Sequence, residues 1–337
     1  MENRRMLCPY HMHSNKDPEG FSQFMDYPYH ELMMLEPKKY PVTQDKIYED
    51  LKRCKEHGKK ACVAFWHYIF EEMDSPRHRP LKPDWKELLD ELNHDLCEAG
   101  GEAFWGYLFD EPLYYMTGEE YLEVTRYMSK YGKRIAAIHG TVNVNRALWP
   151  MDEGDSPEAI AWRNVDVLTA DNQKFTTDIS YDFYGRWEHG IHHTTVFKLF
   201  MEDIGELLYK NPTTKFWFTP PIGTIFPGWE DEPDNGEQIC LDVLMGMWQW
   251  ACRHEDNFGG FFLYTYWEWK SPKRTWIHGN GRYYLMPDEN GNIKWKRLHA
   301  LIEAIGKGFT EGKKPSEIEL PDVGPYDEYG ITKVPLC

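Results

Sequence analysis

No pair of cysteines in this 337-residue chain has the CxxC spacing of a redox or zinc motif; the seven (Cys8, Cys54, Cys62, Cys97, Cys240, Cys252, Cys337) are odd in number and scattered. Neither a disulfide framework nor a structural zinc site is indicated, and buried free thiols are expected. No segment approaches the ~18 apolar residues of a membrane span, and Met1-Glu2-Asn3-Arg4-Arg5 leads into no run of signal-peptide length. The chain as it stands therefore reads as soluble; a cytoplasmic protein and a secreted one lacking its leader would look alike. Positive charge is short: 38 Lys and Arg face 55 Asp and Glu, a formal net charge of −17. Nucleic acid and anionic membrane surfaces need clustered cations and are excluded as partners, and an acidic polysaccharide is disfavoured. No glycine-rich phosphate loop follows an early strand, which argues against an open dinucleotide-binding sheet, and no cofactor is implied. No Ser/Gly/Pro-rich linker divides the sequence, so residues 1–337 read as a single domain with 308–337 as a C-terminal extension.

What the chain has in excess is aromatic surface: 15% of residues, including 14 Trp, more than an ordinary core needs. Flat apolar rings suit the C–H faces of sugars, which makes a carbohydrate the favoured small partner. Apolar, β-rich runs alternate with helix-period segments throughout, the pattern of βαβ units and a parallel sheet. The expected strands are Met6–Tyr10, a weaker one at Glu31–Leu35, Ala61–Phe70, Ala103–Phe109, Arg134–His139, Val165–Thr169, Lys215–Thr219 and Gly260–Trp267. Helices are expected over Thr43–His57, Asp84–Glu98, Thr117–Tyr131, Ser156–Arg163, His192–Lys210, Glu237–His254 and Trp295–Lys307, with Thr117-Gly118-Glu119-Glu120 forming a capping box. The sum is an α/β chain of (β/α)8 TIM-barrel type.

One stretch concentrates the chemistry. Ala103 to Phe109 is an unbroken apolar, aromatic and glycine run that ends in Asp110-Glu111-Pro112. Such a run reads as a strand buried on both faces, and proline ends it, leaving two carboxylates where the interior opens. In a barrel that rim is the catalytic face. Further candidates at strand ends are Trp66 and His67, His139, Asp171 and Asn172, and Tyr264, Tyr266, Trp267, Glu268 and Trp269. A second Asp-Glu-Pro, Asp231-Glu232-Pro233, lies among Pro, Gly and acids and reads as a solvated loop.

Cleaving a glycosidic bond needs a proton donor to the leaving oxygen and a group that traps or stabilises the oxocarbenium-like centre. Glu111 suits the donor, because an apolar strand end and the Asp110 carboxylate both favour its protonated form. Two completions are open. Glu268 supplies a second carboxylate, or Asp110 orients a 2-acetamido group whose own carbonyl oxygen attacks.

The strand ending Asp110-Glu111-Pro112, the run Gly259-Gly260-Phe261-Phe262-Leu263-Tyr264-Thr265-Tyr266-Trp267, and the tail from Gly279-Asn280-Gly281-Arg282 to Asn290-Gly291, followed by Arg297 and a helix ending near Gly306, together resemble the barrel of glycoside hydrolase family 123 and its uncharacterised relatives. The resemblance implies a glycosidase acting on N-acetyl-β-galactosaminides by substrate assistance. It also implies that Asp110 orients the acetamide and that Glu111 is the acid/base.

Two other classes are read from the same residues. His11-Met12-His13 at the end of a first strand is how metal-dependent barrel hydrolases begin a ligand set, which His67, His139 and Asp171 would complete. No metal is implied by the preferred reading. The other class is a non-catalytic sugar-binding barrel, which has no need of the Asp110-Glu111 adjacency.

Overall fold

A computed structural model of the chain describes residues 4–10, 14, 17–35, 44–71, 80–112, 115–139, 169–182, 204–223, 233–266, 268–269, 278–279 and 281–327. Eight strands form its frame: β1 (Met6–Pro9), β2 (Leu32–Leu35), β3 (Lys60–Ala64), β4 (Phe104–Asp110), β5 (Arg134–His139), β6 (Asp178–Asp182), β7 (Lys215–Thr219) and β8 (Phe258–Leu263). They join in the order β1-β8-β7-β6-β5-β4-β3-β2, and every ladder in the series is parallel. The end strands β1 and β2 also lie against each other, so the sheet curls into a nearly closed α/β barrel of TIM type.

Helices connect the strands: α1 (Pro18–Asp26), α2 (Gln44–Glu56), the single turn α3 (Trp66–Ile69), α4 (Trp85–Gly100), α5 (Gly118–Met128), α6 (204–210), α7 (Pro233–Arg253), α8 (Gly281–Leu285) and α9 (Lys296–Thr310). A two-stranded ribbon of β9 (Glu268–Trp269) and β10 (His278–Gly279) follows β8. The expected capping box is present, with the Thr117 side chain accepting from the Glu120 N–H and the Glu120 carboxylate accepting from the Thr117 N–H. Helix α1, which the sequence reading passed over, starts at an Asp17 cap and has proline in its first turn.

Period-2 alternation sorts the strand residues between two cores. Met6, Cys8, Met34, Cys62, Leu108, Ile138, Trp217 and Phe262 fill the barrel; Leu7, Met33, Val63, Phe109, Ile135, Ile179, Phe218 and Phe261 face the helices. The segment beyond α9 also belongs to this fold, since Ile318 and Val323 join the outer core. At the N-terminal end of the barrel, the Arg134 guanidinium donates to both Asp178 oxygens at 2.5 and 2.6 Å, and the Trp217 indole N–H donates to Asp178 at 2.8 Å. Gly259 and Gly260 make that floor sterically feasible: a Cβ on Gly259 would sit 2.3 Å from the Trp217 Nε1, and one on Gly260 would sit 2.0 Å from the Met6 carbonyl oxygen. With φ of +144°, Gly260 also holds a backbone conformation that side chains resist.

Two expected strands are corrected. The run Ala61–Phe70 is strand only to Ala64; Trp66–Ile69 is helical. Residues 165–168 lie outside the described residues, and the sixth barrel position belongs to Asp178–Asp182, reached through turns spanning 169–177. Its inward positions, Asp178 and Ser180, are polar, and an apolar-run criterion passes over such a strand. Since the weak strand Leu32–Leu35 is real, β4 is the fourth strand and β8 the eighth.

Candidate active site at the C-terminal mouth

Strand β4 delivers the acid pair to the C-terminal end of the barrel. Gly106 lets β4 approach β5 closely, since a Cβ there would stand 2.2 Å from the Arg134 carbonyl oxygen. Beyond it Leu108 points into the barrel and Phe109 to the helices, so Asp110 points inward, paired in register with Ile138 of β5. Glu111 then leaves the strand with φ of +47°, in the left-handed region, while its N–H still donates to the Ile138 carbonyl at 2.8 Å. A glutamate in that region costs about 1–2 kcal/mol relative to right-handed backbone. Pro112 turns the chain, its carbonyl accepting from the Tyr115 and Met116 N–H groups at 3.2 and 3.0 Å. Asp110 and Glu111 are both half-buried.

Opposite them, Tyr10 extends β1 by donating its N–H to the Leu263 carbonyl at 3.1 Å, and its hydroxyl donates to the Asp110 Oδ1. Its ring meets Tyr264 edge-on at 5.0 Å. Tyr264 continues β8 by a bridge to Pro221, and its carbonyl accepts from the Ile222 N–H at 2.6 Å. The following peptide, Tyr264–Thr265, is cis. The Thr265 hydroxyl donates to the Tyr10 carbonyl at 3.1 Å, and the Thr265 carbonyl accepts from the Gly281 N–H at 3.0 Å. Two described residues after β1, Ser14 and Asp17, are tied to helices. Ser14 donates to the Asp50 carboxylate on α2, while the Asp17 carboxylate takes both oxygens to Arg282 of α8 at 2.7 Å.

The sequence candidates divide at this point. Asp110, Glu111 and Tyr264 stand at the mouth. Asp171 and Asn172 do not: they lie in the turn before β6, at the N-terminal end of the barrel, where the neighbouring Ala170 carbonyl accepts from the Asn211 side chain at 3.0 Å. Assigning them to a rim followed from misplacing the sixth strand. Tyr266 is no sugar platform, being 2% exposed and wedged against Phe24 at 4.4 Å, with its hydroxyl 3.2 Å from the His30 Nε2. Burial pushes that phenol well above its ordinary pKa. His139 is fully buried at the end of β5, paired in register with Tyr181, and it shares the strand parity of Ile135 and Ala137, which face the helices. Burial lowers its pKa to about 3, so the imidazole is neutral. Trp66 and His67 fall on α3, and Glu268 and Trp269 on β9; the side chains of all four lie outside the described ones. Trp267, His11 and His13 lie outside the described residues, as do Asp231 and Glu232 of the second Asp-Glu-Pro. Among the described residues no group of three or more His, Cys, Asp or Glu is arranged to hold a metal ion.

Three residues that sequence reasoning missed belong to the mouth. Tyr10 is one. Asp182, 6% exposed at the end of β6, and Thr219, which pairs with it on β7 and exchanges a 2.7 Å hydrogen bond with Ser180, are the others. The available signal was the polar alternation Asp178-Ile-Ser-Tyr-Asp182, whose polar face is the barrel interior.

No protein-family model and no curated protein matches the chain. Similar solved structures include a Bacteroides uniformis beta-glucuronidase (11% identity, TM-score 0.49, 90% of this chain and 35% of that one) and an uncultured Clostridium sp. beta-glucuronidase (11%, 0.49, 91% and 50%). A GH113 beta-1,4-mannanase is similar at 13% identity and a TM-score of 0.45, over 79% of this chain and 89% of that one. The chain thus spans between about a third and a half of the length of the glucuronidases. Likenesses this distant carry nothing about chemistry, and the reading of the mouth rests on its own residues.

No helix among the described residues is long and apolar enough to cross a membrane.

Proposed function

We propose that this barrel is a glycoside hydrolase, that Asp110 and Glu111 carry its chemistry, and that its substrate is an N-acetyl-β-hexosaminide. The observation that supports this most is the placement of two adjacent carboxylates at the C-terminal end of β4, the second held in left-handed backbone. Strain at a strand end has no structural return that a glycine there would not give more cheaply, and such outliers cluster at working sites.

The sequential acids divide the labour. Glu111 donates its proton to the glycosidic oxygen as the bond to the anomeric carbon breaks, and the acetamido carbonyl oxygen of the same sugar closes on that carbon. Asp110 accepts the acetamide N–H, aligning the carbonyl and offsetting the positive charge that builds on the closing ring. Glu111, now ionised, then takes a proton from the water that reopens the ring, and retention of configuration follows. Tyr264 and the tryptophans Trp66, Trp267 and Trp269 are assigned to sugar stacking.

Changing Glu111→Gln is expected to lower kcat on an aryl 2-acetamido-2-deoxy-β-galactoside by about two to four orders of magnitude. The melting temperature should stay within a degree or two. Wild-type turnover in this variant would remove Glu111 from the chemistry. A variant Glu268→Gln should be nearly silent; if it is instead crippling, the nucleophile is an enzyme carboxylate and not the acetamide. Loss of activity with a chelator, restored by a divalent ion, would favour the metal-dependent reading through His11 and His13.

A further inference from the structure

Tyr10 is 1% exposed, and the contacts that hold it include the ladder bond to Leu263, the Thr265 hydroxyl on its carbonyl, the Tyr264 ring at its edge, and the Asp110 carboxylate on its hydroxyl. In sheet order β1 is separated from β4 by β2 and β3, so the hydroxyl reaches across the barrel interior to a strand that is not its neighbour. Packing alone would be served by phenylalanine. A buried hydroxyl has to be matched by an acceptor, and here the acceptor is one oxygen of the carboxylate assigned to the acetamide.

We propose that Tyr10 is the positioning residue of this site: it fixes the plane of the Asp110 carboxylate and holds it ionised, so that the carboxylate meets the acetamide N–H in one orientation. This rests on the role given to Asp110 above. The Cβ–Cγ torsion of an aspartate is broad, so an untethered carboxylate presents its oxygens over a wide range of planes. A donor on one oxygen narrows that range and favours the charged form. Because Tyr10 is itself clamped to β8 and to the segment behind it, the orientation is set before substrate arrives. The demand on Asp110 is greatest when charge builds on the acetamide, so loss of the tether falls on kcat more than on KM.

The test uses the full chain and four proteins: wild type, Tyr10→Phe, Asp110→Asn and the double variant. The probe is an aryl 2-acetamido-2-deoxy-β-galactoside. Tyr10→Phe is expected to lower kcat about tenfold or more with KM nearly unchanged, and the double variant to be no worse than Asp110→Asn alone, because the two act through one carboxylate. Additive losses, or a loss confined to KM, would overturn the positioning role.

A second measurement needs no turnover: the γ-carboxyl 13C resonance of Asp110, assigned through Asp110→Asn and titrated in wild type and in Tyr10→Phe. Among the described residues, Glu111 directly after β4, His139 and Asp182 at the ends of β5 and β6, Cys8 on β1, Cys62 on β3 and Tyr264 beyond β8 are titratable groups that the strands bring to this region, and none is altered in the variant. Its midpoint should rise by about one pH unit when the hydroxyl is removed. An unchanged midpoint overturns the inference whatever the kinetics. Wild-type turnover in Asp110→Asn, with the midpoint still shifted by Tyr10→Phe, would instead overturn the role of Asp110 and with it the catalytic meaning of the tether.

Discussion

Glu111 separates what the fold wants from what the site wants. Its left-handed backbone is a conformation that glycine enters freely, so Glu111→Gly is expected to be at least as stable as wild type to urea while losing hydrolysis entirely; a stability loss above about 1 kcal/mol would show that the glutamate side chain supports the fold. The buried histidines give a second prediction at this scale. Burial pushes His139 to about 3, and burial, helped by Lys59 and His299, does the same to His30. Their folded pKa values lie below the unfolded one near 6.5, so the unfolded chain binds protons first as pH falls. The stability associated with the neutral rings is therefore complete above about pH 6.5 and is lost as pH falls from there toward about 3. Between pH 7 and 5 the loss should be of the order of 2 kcal/mol per ring. Chemical denaturation at the two pH values checks it: His139→Asn should flatten the dependence by about half, and an unchanged slope would contradict a neutral buried ring.

At the scale of elements, β4 and its fit to β5 decide where the acids stand. A methyl group on Gly106 has no room against the Arg134 carbonyl, so Gly106→Ala must push β4 away from β5 and tilt the strand end that carries Asp110 and Glu111. The expected outcome is a drop of several degrees in melting temperature together with a fall in kcat; full retention of both would contradict the role given to Gly106 in setting the β4–β5 approach. Elements of this apolar kind were legible in the sequence. Arg134–His139 and Lys215–Thr219 are strands over the expected residues, and the Thr117 capping box sits where its spacing put it, because burial on both faces and a reciprocal cap leave local signals. Strand β6 left none of the apolar kind, since Asp178 and Ser180 face a barrel interior where Arg134, Trp217 and Thr219 satisfy them. Misreading that one strand moved Asp171 and Asn172 to the wrong end of the molecule. Tyr266 failed for a different reason: an aromatic near a strand end carries no local mark of whether it turns to the mouth or, as here, toward α1. Nor does Tyr10, whose partner is 100 residues away in sequence.

At the scale of the whole molecule the barrel has two unlike ends. The N-terminal end carries the Arg134–Asp178–Trp217 floor, in which the buried Asp178 carboxylate accepts from the partly exposed Arg134 guanidinium and from the Trp217 indole. The C-terminal end carries Asp110, Glu111, Tyr10, Tyr264 and Asp182 on four different strands or their extensions, the arrangement by which barrel folds assemble chemistry from residues far apart in sequence. An overall charge of −17 adds nothing to the binding of a neutral sugar and repels an acidic one. The central claim, that the acid pair works with the substrate's own acetamide, is tested most directly by hydrolysis of matched aryl β-glycosides that differ only in bearing a 2-acetamido or a 2-hydroxyl group. The account predicts turnover of the acetamido sugar alone, abolished by Glu111→Gln; comparable turnover of the 2-hydroxyl sugar would contradict it.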